Sequence, residues 1–188
     1  LHPAPLRRRH VHSPFPSGPG PSPDRFLDVS WMMFGELSRA LALRVAREYD
    51  PEVVVGIARA GVIPGAVIAS ILRIDFHSML VTRKDGAEQV RERPAILSAA
   101  PRGLADKRVL VVDEVATSGD TLRLALAAVR DSGPAEVRTA TAFIRPGGYR
   151  PDWYALETDA TIIFPWDRKV FEGGELVVNP RYRDVLDE

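Results

Sequence analysis

The chain has no cysteine among its 188 residues, which excludes disulfide bonds, thiolate nucleophiles and cysteine metal sites. Its 25 basic and 25 acidic residues leave a formal net charge of zero, so composition gives no general argument for binding to nucleic acid or a membrane. No apolar run is long enough to span a bilayer. The four histidines form no metal-binding pattern. We therefore expect a cytoplasmic protein without nucleic-acid or membrane partners.

The remaining composition is that of an ordinary globular protein. Apolar residues make up 45% and charged residues 27% of the chain, and this length suits one domain. Residues 1–25 differ because they contain many prolines and the triplet Arg7-Arg8-Arg9. Such a segment cannot build a core, so we predict a disordered tail at residues 1–25 and one domain at 26–188.

Apolar runs alternate with helical patterns along residues 26–188, which predicts an α/β fold with a mostly parallel sheet of about five strands flanked by helices. A long charged segment at residues 83–107 has little apolar periodicity, and we interpret it as a functional loop. The predicted helices are Ser30–Tyr49, Val62–Leu72 and Asp120–Arg130, and the predicted strands are Val53–Ile57, Phe76–Thr82, Val109–Val112, Glu136–Ile144, Tyr154–Glu157 and Thr161–Phe164.

The most informative segment is the buried strand at Val109, the two acids Asp113 and Glu114 that end it, and the turn before the next helix. Ligands bind at the carboxyl ends of strands in open α/β sheets, and the start of a helix favours a phosphate. Two carboxylates there suit sugar hydroxyls or a magnesium ion. The alternative is an ordinary loop with solvated acids.

This segment resembles the ribose-phosphate motif of the type I phosphoribosyltransferases, in which an apolar strand leads into two acids and a Thr/Ser-Gly turn. The resemblance implies that family's fold, with a small hood from residues 26–30 and 145–188. It implies that Asp113 and Glu114 are catalytic, hold the ribose hydroxyls and bind Mg²⁺. The other residues of the motif that it assigns to 5-phosphoribosyl 1-pyrophosphate (PRPP) are Val115, Ala116, Thr117, Ser118, Gly119, Asp120 and Thr121.

A second strand ends in Arg59-Ala60-Gly61, which resembles the family's pyrophosphate loop, commonly Arg-Gly-Gly. The resemblance implies that these three residues bind PRPP and that a cis peptide joins Arg59 to Ala60. It also implies a mobile lid in the long charged segment, with Arg83 and Lys84 on the pyrophosphate and Lys84 as a catalytic residue. We expect Arg91 and Arg93 in the same segment to be solvated.

The segment ending in Phe164-Pro165-Trp166-Asp167 resembles the xanthine, guanine and hypoxanthine branch of the family. The resemblance implies a base site formed by Thr117, Arg145, Phe164, Trp166 and Asp167, and transfer of the phosphoribosyl group to hypoxanthine, guanine or xanthine in purine salvage. Trp166 offers a flat surface for a purine, and the alternative is a core or dimer-contact aromatic.

Two positions depart from that branch, because Thr117 stands where Asp is usual and Arg145 where Lys is usual. A pyrimidine or orotate phosphoribosyltransferase is therefore one alternative, since Thr117 fits that branch. A regulator that senses PRPP without turnover is another. The resemblance further implies a homo-oligomer, either a dimer or a tetramer, and leaves the role of residues 171–188 open.

Overall fold

The computed structural model describes residues 26–85 and 89–186, and for residues 82–85 and 89–93 it describes the backbone alone. The predicted tail at residues 1–25 therefore lies outside the described residues. In chain order, the helices and strands are β1 (Phe26–Asp28), α1 (Trp31–Glu48), β2 (Val53–Ala58), α2 (Val62–Leu72), β3 (Asp75–Asp85), β4 (Gln89–Ile96), β5 (Arg108–Ala116), α3 (Asp120–Arg130), β6 (Glu136–Ile144), β7 (Trp153–Glu157), β8 (Thr161–Ile163), β9 (Lys169–Glu172), β10 (Glu175–Val178), a 3₁₀ turn (Pro180–Tyr182) and α4 (Arg183–Leu186).

Six strands form the central sheet, in the order β4-β3-β2-β5-β6-β7. The five strands from β3 to β7 in this order pair in parallel, and β4 pairs antiparallel with β3 at one edge. The predicted α/β architecture with a mostly parallel sheet is thus confirmed, and β4 adds one strand to the expected five.

Helices cover both faces of the sheet because its central strands are apolar on both sides. The residues Val109 to Val112 of β5 are completely buried, and successive side chains enter opposite cores. On one face α1 and α2 contribute Leu41, Val45 and Ile68, and on the other face α3 contributes its own apolar stripe. Strands β2 and β5 are parallel neighbours in the middle of the sheet. Their carboxyl ends therefore lie side by side, and the loops to α2 and α3 begin there.

The predicted bounds of α2, α3 and β6 are confirmed. Strand β5 is longer than the predicted Val109–Val112 and includes Asp113 and Glu114. Helix α1 is one residue shorter at each end than predicted. Ser30 is its N-cap, with Oγ accepting a hydrogen bond from Met33 N at 3.1 Å, and Tyr49 is its C-cap.

The long loop predicted at residues 83–107 is wrong in its first part. Strand β3 continues to Asp85, and β4 returns antiparallel beside it with Val81 opposite Ile96. Backbone pairing at a sheet edge needs no alternating apolar side chains, so the charged sequence gave no indication of this strand. The side chains of Arg83, Lys84, Arg91 and Arg93 lie outside the described residues.

Two small sheets complete the fold. Strand β1 pairs in parallel with β8, and β9 pairs antiparallel with β10. Strand β7 belongs to the central sheet, although it lies within the range 145–188 that we assign to the hood. None of the helices that the structure describes combines the length and apolar character needed to cross a membrane.

Candidate active site

Strand β5 brings two neighbouring carboxyl groups to the start of α3. Asp113 is buried, with 8% of its surface exposed, and it borders a cleft of about 340 Å³ that we call the turn cleft. Gly119 precedes α3 with φ of +78°, and it has no side chain with which to cap the helix. Backbone N–H groups at such a helix start suit an anion. The turn cleft is lined by Asp113, Val115, Ala116, Thr117, Ser118, Gly119, Asp120, Thr121 and Leu122.

The environment of Asp113 disfavours its charged form. Burial, followed by the neighbouring Glu114 carboxyl, raises the pKa of Asp113 well above its usual range. One carboxyl oxygen, Oδ1, accepts a hydrogen bond from the Glu114 backbone N–H at 2.9 Å. A cation placed beside this pair would favour the carboxylate and lower that pKa.

The loop after β2 packs directly against Asp113. A Cβ at Gly61 would lie 2.8 Å from both Cα and Oδ1 of Asp113, so only glycine allows this approach. The cis peptide expected between Arg59 and Ala60 is wrong by one residue, because the cis bond joins Ala58 to Arg59. It directly follows the last paired residue of β2, where the chain leaves the sheet.

Tyr149 packs against the turn before α3 from outside the turn cleft. Its backbone N–H donates to the Thr117 carbonyl at 2.9 Å, and its ring fills the space that a Cβ on Gly119 would need. The Arg123 guanidinium lies 4.7 Å from the centre of that ring and donates to the Ser118 carbonyl at 2.9 Å. The turn is therefore held in shape by contacts outside the cleft.

A second cleft of about 500 Å³ lies beside the first, and we call it the aromatic cleft. Trp166 borders it and stacks on Phe164, with ring centres 4.6 Å apart and planes at 13°. Trp166 also meets Phe34 edge-on at 5.1 Å. The tryptophan thus has a packing role within the protein as well as a place in the cleft wall. The aromatic cleft is lined by Arg59, Ala60, Ile63, Glu114, Val115, Arg145, Thr161, Ile162, Phe164, Trp166, Asp167, Arg181 and Tyr182.

The Arg145 guanidinium is held by the turn that joins β7 to β8. Its Nη1 donates to the carbonyls of Thr158, at 3.3 Å, and of Ala160. These bonds fix the side chain at the edge of the aromatic cleft, where its remaining N–H groups can donate to a ligand oxygen.

The segment that follows β10 donates hydrogen bonds to the Asp167 carboxylate. Its Oδ2 accepts a hydrogen bond from the Tyr182 hydroxyl at 3.0 Å, and its Oδ1 accepts one from Asn179 Nδ2 at 3.2 Å. The Tyr182 side chain is almost completely buried and packs edge-on against Phe26. Residues 179–182 therefore close one side of the aromatic cleft, a role that the sequence left open.

The structure divides the predicted site residues between the two clefts. Asp113 and residues 115–121 line the turn cleft, whereas Arg59, Ala60, Glu114, Arg145, Phe164, Trp166 and Asp167 line the aromatic cleft, and Val115 lines both. Thr117 borders the turn cleft and is absent from the wall of the other, so its contact with a base stays a prediction.

Several cleft residues were missed from the sequence. Arg181 and Tyr182 are distant in the chain from every motif, and Ile63, Thr161 and Ile162 read as ordinary members of a helix or strand. Tyr149 lies in a Gly-rich connection whose contact with Gly119 only the folded chain reveals. No local pattern marks these residues, because tertiary folding alone brings them to the site.

Comparison with known proteins agrees with this geometry. The xanthine-guanine phosphoribosyltransferase of Nitratidesulfovibrio vulgaris is 31% identical over 158 residues, covering 81% of this chain and 91% of the relative. The crystal structure of a purine phosphoribosyltransferase from Pyrococcus horikoshii is 32% identical, with a TM-score of 0.68, and the match covers 79% of this chain and 99% of that one.

A third similarity concerns the fold alone. The xanthine-guanine-hypoxanthine phosphoribosyltransferase of Helicobacter pylori is 21% identical, with a TM-score of 0.63 over 75% of this chain and 93% of that one. The phosphoribosyl transferase domain model matches residues 30–172. These include all residues that line the two clefts except Arg181 and Tyr182 of the aromatic cleft. The chain therefore belongs to the phosphoribosyl transferase domain family and has the type I phosphoribosyltransferase fold.

Proposed function

We propose that this protein transfers the 5-phosphoribosyl group of PRPP to a 6-oxopurine base, namely hypoxanthine, guanine or xanthine, in purine salvage. The products are a nucleoside monophosphate and pyrophosphate. The observation that carries the proposal is the joining of an anion-binding turn, two carboxyl groups and an aromatic cleft at one sheet edge. The substrates named for the similar proteins from Nitratidesulfovibrio vulgaris and Pyrococcus horikoshii support the choice of a purine.

The turn cleft is suited to the ribose-phosphate half of PRPP. The 5-phosphate would accept hydrogen bonds from the backbone N–H groups and hydroxyls of residues 116–121, since a glycine-capped helix start stabilises an anion. Asp113 and Glu114 would accept hydrogen bonds from the ribose hydroxyls. Val115 borders both clefts and would face the ribose.

The pyrophosphate would lie against the loop after β2. Arg59 offers a planar, permanently charged group, and Ala60 and Gly61 leave room for close approach of the backbone. Gly61 already touches Asp113, so pyrophosphate and ribose would bind to adjoining parts of one surface. We propose Arg83 and Lys84 as further cations there, with Lys84 acting on the leaving group.

The donor set fits a magnesium ion that comes with the substrate. The described residues hold no group of three or more His, Cys, Asp or Glu side chains able to form a complete metal cage. Mg²⁺ typically takes one or two carboxylates and completes its coordination with substrate phosphates and water. Asp113 and Glu114 would hold it, and when bound it would neutralise charge on the pyrophosphate.

The reaction breaks the bond from the anomeric carbon to a pyrophosphate oxygen, forms a bond from that carbon to a base nitrogen, and releases the proton that the base carries. Positive charge develops on the ribose ring, close to the Asp113 and Glu114 carboxylates, and negative charge develops on the leaving group beside Arg59. The protein therefore acts by positioning and by electrostatic stabilisation rather than through a covalent intermediate.

The base would occupy the aromatic cleft. Arg145 would donate to an exocyclic oxygen, because its guanidinium is already fixed at the cleft edge by carbonyls of the β7–β8 turn. Phe164 and Trp166 would provide apolar contact, and Asp167 would accept a hydrogen bond from the base. Thr117 would contact the base from the turn side.

We also propose a homo-oligomer, a dimer or a tetramer, in the cytoplasm. Phe171 and Leu176 are cross-strand neighbours on the β9–β10 hairpin and are 76% and 70% exposed. An exposed apolar pair of this kind suits contact with a second copy.

Chromatography of the products tests the proposed function. The purified protein is incubated with PRPP, magnesium and one base at a time from hypoxanthine, guanine, xanthine, adenine, uracil and orotate. Formation of a 6-oxopurine nucleotide is the expected result. Formation of orotate or uracil nucleotide alone would refute the purine assignment. PRPP binding without any product would refute catalysis and favour the sensor.

A further inference from the structure

A buried hydroxyl without a partner lies beside the candidate site. Thr141 of β6 is completely buried, and its Oγ1 makes no hydrogen bond within the part of the chain that the structure describes. Burying an unpaired hydroxyl is unfavourable, and most such groups in proteins are paired. A hydroxyl in this position calls for a hydrogen-bond acceptor close to it.

The strand register places Thr141 directly beside Asp113. The two residues are partners in the parallel pairing of β5 with β6, as are Val109 and Val137 four residues earlier. Val109 and Val137 belong to the same core under α3, so Asp113 and Thr141 also face that side. Neighbouring strands lie about 4.8 Å apart, which puts a hydroxyl and a carboxylate on one face within reach of a hydrogen bond.

Thr139 provides a contrast on the same face of the same strand. It is 1% exposed, and its Oγ1 donates to Asp152 Oδ2 at 2.8 Å and accepts from the Asp152 N–H at 3.2 Å. A threonine hydroxyl in this environment is thus fully satisfied when its role is structural. Thr141 instead lies next to Asp113 at the turn cleft, and its hydroxyl has no partner among the described residues.

We propose that Thr141 is a positioning residue for Asp113, and that its hydroxyl donates to the Asp113 carboxylate when PRPP occupies the turn cleft. The Glu114 N–H already holds Oδ1. A second donor on the other side fixes the rotation of the carboxylate, and its remaining lone pairs then face the ribose hydroxyls. This inference rests on the proposed function, because it requires PRPP in the turn cleft.

The test compares three variants by calorimetric titration with PRPP and magnesium and by steady-state kinetics. Thr141→Val keeps the shape and removes the hydroxyl, and we expect about tenfold weaker PRPP binding with an unchanged KM for the base. Thr141→Ser keeps the hydroxyl, and we expect PRPP affinity within about twofold of the wild type. The melting temperature of Thr141→Val stays the same or rises, since no hydrogen bond is lost.

Thr139→Val is the matched control. It breaks the bonds to Asp152, so we expect a lower melting temperature and unchanged PRPP affinity. If Thr141→Val does not fold, Thr141→Ala replaces it with the same expected loss.

Two results would overturn the inference. The first is wild-type PRPP affinity in the valine or alanine variant. The second is a serine variant as weak as the valine variant, which would show that packing and not the hydroxyl matters. A wild-type protein that binds no PRPP would refute the proposed function and this inference with it, and only that result would affect both.

Discussion

Replacing Gly61 by alanine tests whether the loop after β2 and Asp113 act as one surface. The added Cβ would lie 2.7 Å from the Ile57 carbonyl oxygen and 2.8 Å from both Cα and Oδ1 of Asp113. Two of these three atoms belong to the backbone, so no side-chain rotation relieves the contacts. The contacts to Asp113 must lengthen by about 0.7 Å to reach an ordinary separation of about 3.5 Å.

This displacement sets the expected loss of stability and of activity. Overpacking of this size lowers the free energy of unfolding by about 1–3 kcal/mol, which in a chain of this length lowers the melting temperature by about 2–12 °C. A shift of a catalytic group approaching 1 Å reduces activity by about 100-fold. We therefore expect Gly61→Ala to remain folded at 25 °C with kcat/KM for PRPP reduced by about two orders of magnitude.

Gly35→Ala is the matched control for that measurement. Nothing lies within 4 Å of a Cβ at this position in α1, and alanine favours a helix over glycine by about 0.5–1 kcal/mol. The same chemical change should therefore raise the melting temperature slightly and leave kcat/KM unchanged. Thermal denaturation and steady-state kinetics measure the melting temperature and kcat/KM of both variants. Wild-type kcat/KM in Gly61→Ala would refute the reasoning.

Two further predictions concern the walls of the site. Tyr182→Phe removes the hydroxyl donor to Asp167, so we expect a several-fold higher KM for the base with an unchanged KM for PRPP; equal changes in both would contradict separate clefts. Burial raises the pKa of Asp152, but hydrogen bonds from Thr139 and Arg138 outweigh it, so the pKa lies below its usual value. Asp152 therefore stabilises the fold above a pH of about 3.9, and this stabilisation is lost as the pH falls through its lowered pKa. Asp152→Asn should lower the urea midpoint at pH 7, and this difference should shrink progressively as the pH falls below about 3.9; a pH-independent difference would be contrary to this.

The sequence predicts the centre of this fold well because burial on both sides of β5 leaves an unbroken apolar run from Val109 to Val112. Such runs are typical of parallel strands under helices. Helices α2 and α3 were predicted with correct bounds for a related reason, since each has a small-residue turn before it and a clear end. The two acids follow that apolar run and lie within the last residues of β5, near its carboxyl end.

Edge and hood features were harder to predict because tertiary contacts produce them. Strand β4 pairs with β3 at the sheet edge, where no apolar periodicity is required, so its charged sequence looks like a loop. Tyr182 reaches Asp167 from 15 residues away, and nothing local marks either residue as a partner of the other. The resemblance predicted the cis bond one residue too late in the chain, since the structure has it between Ala58 and Arg59.

Pyrophosphate release by the wild-type protein and by Asp113→Asn combined with Glu114→Gln tests the central claim most directly. The assay contains PRPP and magnesium with hypoxanthine, guanine or xanthine, and circular dichroism confirms that both proteins are folded. We predict base-dependent release by the wild type and a rate at least about 100-fold lower in the double variant, because the proposed function requires the two carboxylates to position the ribose and the metal. A folded double variant that releases pyrophosphate at the wild-type rate would contradict the account.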